Sequence, residues 1–157
     1  MIKVNVIAVG KVKEKYFADG ISEYAKRLSR FCDFKIIEIA EENYKNVDDG
    51  LIDNIKQKEG ERILPYLKGY VFATAIEGKK YSSKGLADKI STLKSRGEGV
   101  ITFVIGGSYG LLEQIKNRAD ELISFSDMTF PHTLMRVMLT EQIYRAFSIN
   151  EGSAYHK

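Results

Sequence analysis

The stretch Ile123–Lys157 reads I-S-F-S-D-M-T-F-P-H-T-L-M-R-V-M-L-T-E-Q-I-Y-R-A-F-S-I-N-E-G-S-A-Y-H-K. Just before and within it, the apolar run Leu122 to Phe125 stops at Ser126-Asp127-Met128-Thr129-Phe130-Pro131, a segment too polar and too proline-marked to continue a strand. One long amphipathic helix is expected from about His132 to Ile149, followed by a short aromatic and basic tail. Upstream, the apolar run Val100 to Ile105 ends in the cluster Gly106-Gly107-Ser108-Tyr109-Gly110. Two strand ends carrying loops, side by side before a helix, are where an open α/β sheet puts its ligand.

The rest of the chain alternates in the same way. Residues 3–9 form a first strand ending at Gly10, and Phe17, Ile21, Tyr24, Ala25, Leu28 and Phe31 recur at helical spacing from about Tyr16 to Cys32. Phe34 to Ile39 reads as a second strand, Ala40 to Asp49 as an acidic loop, and Leu51 to Leu67 as a helix closed by Pro65 and Gly69. Tyr70 to Ile76 is a third strand; Ser82 or Ser83 then caps a helix whose apolar face is Leu86, Ile90 and Leu93. A further helix is expected over Leu111 to Ala119. Alternating strand and helix predict a single α/β domain over residues 1–157, with a parallel-rich sheet covered by helices on both faces.

With 157 residues and 44% hydrophobic composition, the chain buries an ordinary core without disulfides or a structural metal. No apolar run reaches the roughly 18 residues of a membrane span, and the start reads as a strand, so a cytoplasmic protein with no membrane partner is expected. The single cysteine, Cys32, is expected to be a buried apolar filler, and no metal site is expected. A net charge of +3 permits a polyanionic partner without requiring one. Lysines and arginines cluster at Lys11, Lys13 and Lys15, at Lys26, Arg27 and Arg30, and at Lys79, Lys80 and Lys84, each cluster also readable as a solvated helix face or loop tip.

Gly106, Gly107 and Gly110 follow a strand and precede a helix, where glycines let a ligand approach the backbone, although a plain tight turn uses the same residues. They do not form the dinucleotide fingerprint. Asp127 stands where a nucleotide-binding enzyme often carries an acidic ribose acceptor, yet too few residues follow for the remaining strands of a full dinucleotide fold, which argues against an NAD enzyme. His132 starts the last helix and Arg136 lies one turn further on the same face. Tyr155, His156 and Lys157 put an aromatic ring, an imidazole and a cation into a tail that most chains would leave disordered.

Taken together, V-I-A-V-G-K-V-K-E-K-Y, K-E-G-E-R-I-L, V-I-G-G-S-Y-G-L, S-D-M-T-F-P-H-T-L-M-R-V-M-L-T-E-Q-I-Y-R-A-F-S-I and the terminal Y-H-K make the chain resemble, end to end, the RlmH (YbeA-type) family of SPOUT methyltransferases. The resemblance implies an enzyme that uses S-adenosyl-L-methionine to methylate N3 of a pseudouridine in the helix 69 loop of 23S rRNA on the assembled 70S ribosome. It also implies a homodimer and an α/β fold whose C-terminal segment threads a trefoil knot, a feature that general rules of chain connection disfavour. Carried onto this chain, the family's cofactor contacts fall on Thr74, Gly106, Phe125, Ser126, Asp127, Met128, Thr129 and Phe130. Thr74 departs from the leucine of the family pattern, so contact there is expected through the backbone.

Methyl transfer from a sulfonium is an in-line displacement, for which the protein mainly has to hold carbon and nitrogen in a near-attack arrangement. The imide nitrogen must lose its proton, so a base or an anion-stabilising group is expected beside it. Tyr155, His156 and Arg136 are the candidate catalytic residues, with Lys157 and His132 behind them. The competing reading is a non-catalytic ribosome- or RNA-binding domain that kept the SPOUT fold.

Overall fold

A computed structural model describes residues 1–157. The elements run β1 (Lys3–Val9), α1 (Lys15–Leu28), β2 (Asp33–Ile39), α2 (Asp49–Ile63), β3 (Tyr70–Lys80), α3 (Ser83–Ser95), β4 (Val100–Ile105), α4 (Glu113–Arg118), β5 (Glu121–Ser124) and α5 (His132–Asn150). All five strands are parallel, in the order β2-β1-β4-β3-β5. The parallel α/β sheet expected from the alternating pattern is therefore present.

Side-chain alternation along the strands sorts the core into two layers. On one face Val4, Val6, Ala8, Ile101, Phe103 and Phe72 pack under α1, α3 and α5, through residues such as Leu28, Ile90, Leu139, Ile143 and Phe147. On the other face Ile7, Val9, Val71, Ala73 and Val104 pack against Ile63 of α2 and Ile115 of α4. Helices thus cover both faces, and the central strands are buried on both sides, as a parallel sheet requires. Phe72 and Phe103 sit opposite each other on β3 and β4 and stack with centroids 4.8 Å apart. Cys32 is a buried member of the first layer, and burial pushes its thiol up to about 12.

Several boundaries differ from the sequence expectation for visible reasons. The first helix stops at Leu28 rather than Cys32, because the Ser29 hydroxyl donates to the Lys26 carbonyl and closes the end. The regular part of the second helix stops at Ile63, with a 3₁₀ turn over Leu64–Tyr66 that accommodates Pro65. Gly69 has φ +66° and a Cβ there would fall 1.9 Å from the Val100 carbonyl oxygen, so only glycine turns the chain into β3. β3 runs on to Lys80 instead of ending at Ile76: after Thr74 pairs with Ile123, the chain bulges out and Lys79 returns to the same partner.

The sheet order corrects one expectation directly. The loops after β4 and β5 are not side by side, because β3 lies between those strands. The crevice consequently has three walls, and the bulge of β3 supplies the third.

Candidate functional site

A cavity of about 770 Å³ opens at the C-terminal ends of β3, β4 and β5. The β3 wall is Thr74 to Glu77. The Thr74 hydroxyl donates to the Val104 carbonyl at 3.1 Å, so its side chain is engaged inside the sheet. Gly78 lets the bulge fold onto β5, since a Cβ would lie 2.7 Å from the backbone of Leu122 and Ile123. At the rim, Lys116 and Glu77 pair at 2.7 Å, and this ion pair holds the Glu77 carboxyl below its ordinary range.

The β4 wall is the glycine turn. Gly110 has φ +86° and donates its N–H to the Gly107 carbonyl at 3.1 Å. Gly106 is not in the left-handed region; a Cβ there would meet the Gly110 carbonyl carbon at 2.8 Å. The need for glycine at 106 therefore comes from the turn closing on itself, and a branched residue there would spread the turn.

The β5 wall is the loop from Phe125 to Pro131, shaped by two local bonds: the Ser124 hydroxyl donates to the Ser126 carbonyl at 3.1 Å, and the Met128 N–H donates to Ser126 Oγ at 3.1 Å. His132 and Met135, from the first turn of α5, complete the mouth. That first turn has no side-chain cap, so its amides remain available to an acceptor.

Of the eight residues expected to hold a cofactor, Thr74, Gly106, Phe125, Ser126, Met128, Thr129 and Phe130 line this one cavity. Asp127 does not: its side chain is 83% exposed and pairs with Lys80 Nζ at 2.6 Å. An exposed loop carboxylate finds an exposed lysine more readily than a partly apolar cavity.

The three expected catalytic residues lie elsewhere in the single chain. Arg136 is 2% exposed; its guanidinium donates to Glu38 Oε2 at 2.8 Å and to the carbonyls of Gly10 and Val9 at 3.0 and 3.4 Å. It ties the start of α5 to the ends of β1 and β2 and does not face the cavity. Tyr155 and His156 are not disordered but folded back on α5, where the Tyr155 ring packs edge-on against Tyr144 at 4.7 Å and lies under the Arg145 guanidinium at 4.7 Å. An Arg145 N–H donates to His156 Nδ1 at 3.1 Å. This face of α5 borders a second groove, of about 400 Å³, lined by Tyr24, Tyr81, Leu86, Met138 and Glu141. The groove meets the first cavity only through Ile123, Ser124 and Phe125.

Glu141 and Arg145, which hold the tail, were not singled out in the sequence; their i, i+4 spacing in T-E-Q-I-Y-R is the signal that could have marked them. Lys116 and Glu77 at the rim carried no comparable signal, since they lie 39 residues apart.

Comparison with known proteins agrees with this architecture. Residues 2–156 match a family model described as "Predicted SPOUT methyltransferase". The ribosomal RNA large subunit methyltransferase H of Levilactobacillus brevis is 53% identical over 159 residues, covering 99% of this chain and 100% of the relative. The protein of the same name from Bifidobacterium adolescentis is 54% identical over the same shares. Among solved structures, a putative RNA methyltransferase from Bacillus anthracis superposes with a TM-score of 0.53 at 14% identity, covering 98% of this chain and 99% of that one. A probable methyltransferase from Bordetella pertussis gives a TM-score of 0.55 at 11% identity, with 93% and 95% covered. At such identities the structures speak for the fold, while the full-length family match speaks for descent: the chain belongs to the SPOUT methyltransferase family.

Proposed function

We propose that this protein uses S-adenosyl-L-methionine to methylate N3 of a pseudouridine in the helix 69 loop of 23S rRNA, on the assembled 70S ribosome and as a homodimer. The observation that carries the proposal is the convergence of seven family cofactor positions on one cavity, in a chain more than half identical to full-length rRNA large subunit methyltransferases. The cavity suits the cofactor: its volume falls within the roughly 300–1,000 Å³ of small-molecule sites. Ile105, Leu111 and Phe125 offer apolar surface to a purine, and the turns at 106–110 and 125–130 offer backbone amides to polar groups.

When bound, the cofactor would supply an electrophilic methyl group on its sulfonium sulfur. The chain's own task is to hold that carbon in line with N3 and to receive the N3 proton as the new bond to nitrogen forms and the bond to sulfur breaks. His132 stands at the cavity mouth and His156 on the tail; these imidazoles are the groups available for the proton. Arg145 and Lys157 are the cations available to steady the imide anion. Arg136 takes no such part, because its guanidinium is buried and bonded to Glu38.

A homodimer suits two features. α5 presents half-buried Leu134, Val137 and Met138 beyond the faces that it uses inside the domain, and a second copy can cover them. The tail lies outside the cavity of its own chain, and a partner offers a route to bring it to one. The C-terminal trefoil knot belongs to the same reading; β5 joining β3 rather than β4, the strand before it in the chain, is compatible with it.

Two measurements test the proposal. Calorimetry should detect S-adenosylmethionine and S-adenosylhomocysteine but not NAD, and tritiated methyl should enter ribosomes that lack the modification. Binding without transfer would support the non-catalytic RNA-binding alternative, and no binding at all would overturn the cofactor assignment.

A further inference from the structure

The glycine turn of the cavity rests on α2 through two reciprocal notches. Gly60 is buried, and a Cβ on it would lie 2.7 Å from Leu112 Cδ2 and 2.9 Å from Leu112 Cβ. One residue earlier, Glu59 makes the opposite contact: a Cβ on Gly107 would lie 3.0 Å from Glu59 Oε1, with Val9 Cγ1 behind it at 3.2 Å. Side chain enters notch in both directions, so α2 and the segment 107–112 are keyed to each other at two points. Gly107 itself lines the cavity.

Glu59 is unusual for its type. It is 5% exposed, and burial raises its carboxyl above the ordinary range. A carboxylate is rarely kept in such a place without a task, since an apolar residue would fill the same volume at lower desolvation cost. Its Oε2 accepts the Glu42 N–H at 3.1 Å, which fixes the side chain from the far end. The charged groups around it are Glu41, Glu42 and Arg62. Arg62 is already bonded to the Ala40 carbonyl at 2.8 Å and to the Glu42 carboxylate. Glu59 is thus held between the acidic loop and the glycine turn, with no salt-bridge partner of its own.

We propose that the Glu59-Gly60 step of α2 is a positioning element for the cofactor-binding turn: Glu59, pinned by the Glu42 amide, and Gly60, seating Leu112, hold Gly106–Gly110 in the form that leaves the cavity open. This rests on the cofactor assignment above. Neither residue touches the cofactor, and both act through the backbone of the turn.

The test measures S-adenosylhomocysteine affinity by calorimetry and methyl transfer to ribosomes on the full-length chain. Glu59→Gln keeps the length and an acceptor for the Glu42 amide, and should bind within about threefold of wild type. Glu59→Ala should weaken binding by about tenfold or more, the scale of a turn displaced by a fraction of an ångström, and leave the KM for ribosomes unchanged. Gly107→Ala should weaken it as well, by pressing on Glu59. In the double variant the added methyl meets no carboxylate, so the loss in Glu59→Ala/Gly107→Ala should be smaller than the sum of the two single losses. If Glu59→Ala does not fold, Glu59→Asp, shorter by one methylene and still charged, should weaken binding severalfold. Wild-type affinity in Glu59→Ala or Glu59→Asp, or strict additivity in the double variant, overturns the proposal alone. A wild-type protein that does not bind S-adenosylhomocysteine overturns the cofactor assignment on which it rests.

Discussion

Tyr155 donates its hydroxyl hydrogen to Glu141 Oε1 at 3.0 Å, and the same oxygen accepts from Arg145 Nε at 3.0 Å and Nη2 at 2.5 Å. One carboxylate on α5 therefore gathers both the tail and the cation that reaches His156. Burial, together with the neighbouring Tyr24 and Glu141, raises the Tyr155 phenol above its ordinary range.

A phenol raised above its ordinary value keeps its proton around neutral pH. On the proposed reading, Tyr155 then serves the reaction as a hydrogen-bond donor and a stacking surface rather than as a base. Tyr155→Phe should slow methyl transfer by no more than about tenfold, the worth of one hydrogen bond, and should leave the pH–rate profile unmoved. A Tyr155→Phe enzyme that loses its alkaline limb would assign the proton transfer to the phenol after all.

Arg136 should matter for stability. Arg136→Met strips the donors from the carbonyls of Val9 and Gly10, and buried acceptors left without partners cost about 1–3 kcal/mol. For a domain of this size that corresponds to a fall in Tm of roughly 2–12 °C. Arg136→Lys should recover only part of it, because an ammonium cannot span Glu38 and two carbonyls as a planar guanidinium does. Thermal melts of the three proteins decide the matter: equal melting temperatures would return Arg136 to the list of catalytic candidates.

Asp127 and Ser126 are neighbours with opposite surroundings. The first faces Lys80 and solvent; the second lines the cavity and accepts the Met128 N–H through its hydroxyl. Asp127→Ala should change S-adenosylmethionine affinity by less than about threefold, in keeping with the small worth of exposed ion pairs. Ser126→Val, unable to accept that bond, should weaken it more than Asp127→Ala does, and the reverse order in calorimetry would refute the placement of the loop.

What the sequence made legible follows from the range of each signal. Strand and helix periodicity is local, so Val100 to Ile105 and His132 to Ile149 were readable to within a residue. Sheet order is not local: nothing in Leu122 to Phe125 announces that β5 pairs with β3 across the Thr74/Lys79 bulge. The cofactor loop could be carried over as a contiguous run, but the direction of one side chain in it could not: Asp127 pairs with Lys80 outside the cavity lining. Arg136 was placed beside His132 by helical spacing, which is correct along the helix but blind to Glu38, 98 residues away. The docking of the tail on Glu141 was likewise invisible, because it depends on a turn at Glu151 to Gly152 that reverses the chain.

The tail gives the last prediction. Within one chain Tyr155 and His156 lie on α5, Tyr155 bonded to Glu141 of the second groove, whereas seven of the expected cofactor positions line the first cavity. If the tail serves the reaction from a partner copy, then deleting 155–157 should leave folding and cofactor binding intact while methyl transfer to ribosomes drops by on the order of a hundredfold, as when a positioned acid-base group is lost. Subunit mixing separates service to the partner from service to the same chain. A tail-deleted protomer keeps its cavity, and a Met135→Trp protomer, its cavity filled by the larger ring, keeps its tail. Each alone should be inactive. Co-refolded in equal amounts, half of the dimers are mixed, and in a trans arrangement each of these has one complete site out of two, so about a quarter of wild-type activity should return. In a cis arrangement no protomer has both parts and nothing returns. Tritiated-methyl incorporation into unmodified ribosomes at saturating cofactor reads the difference, and a mixture as inactive as its components would place the tail on its own chain's site.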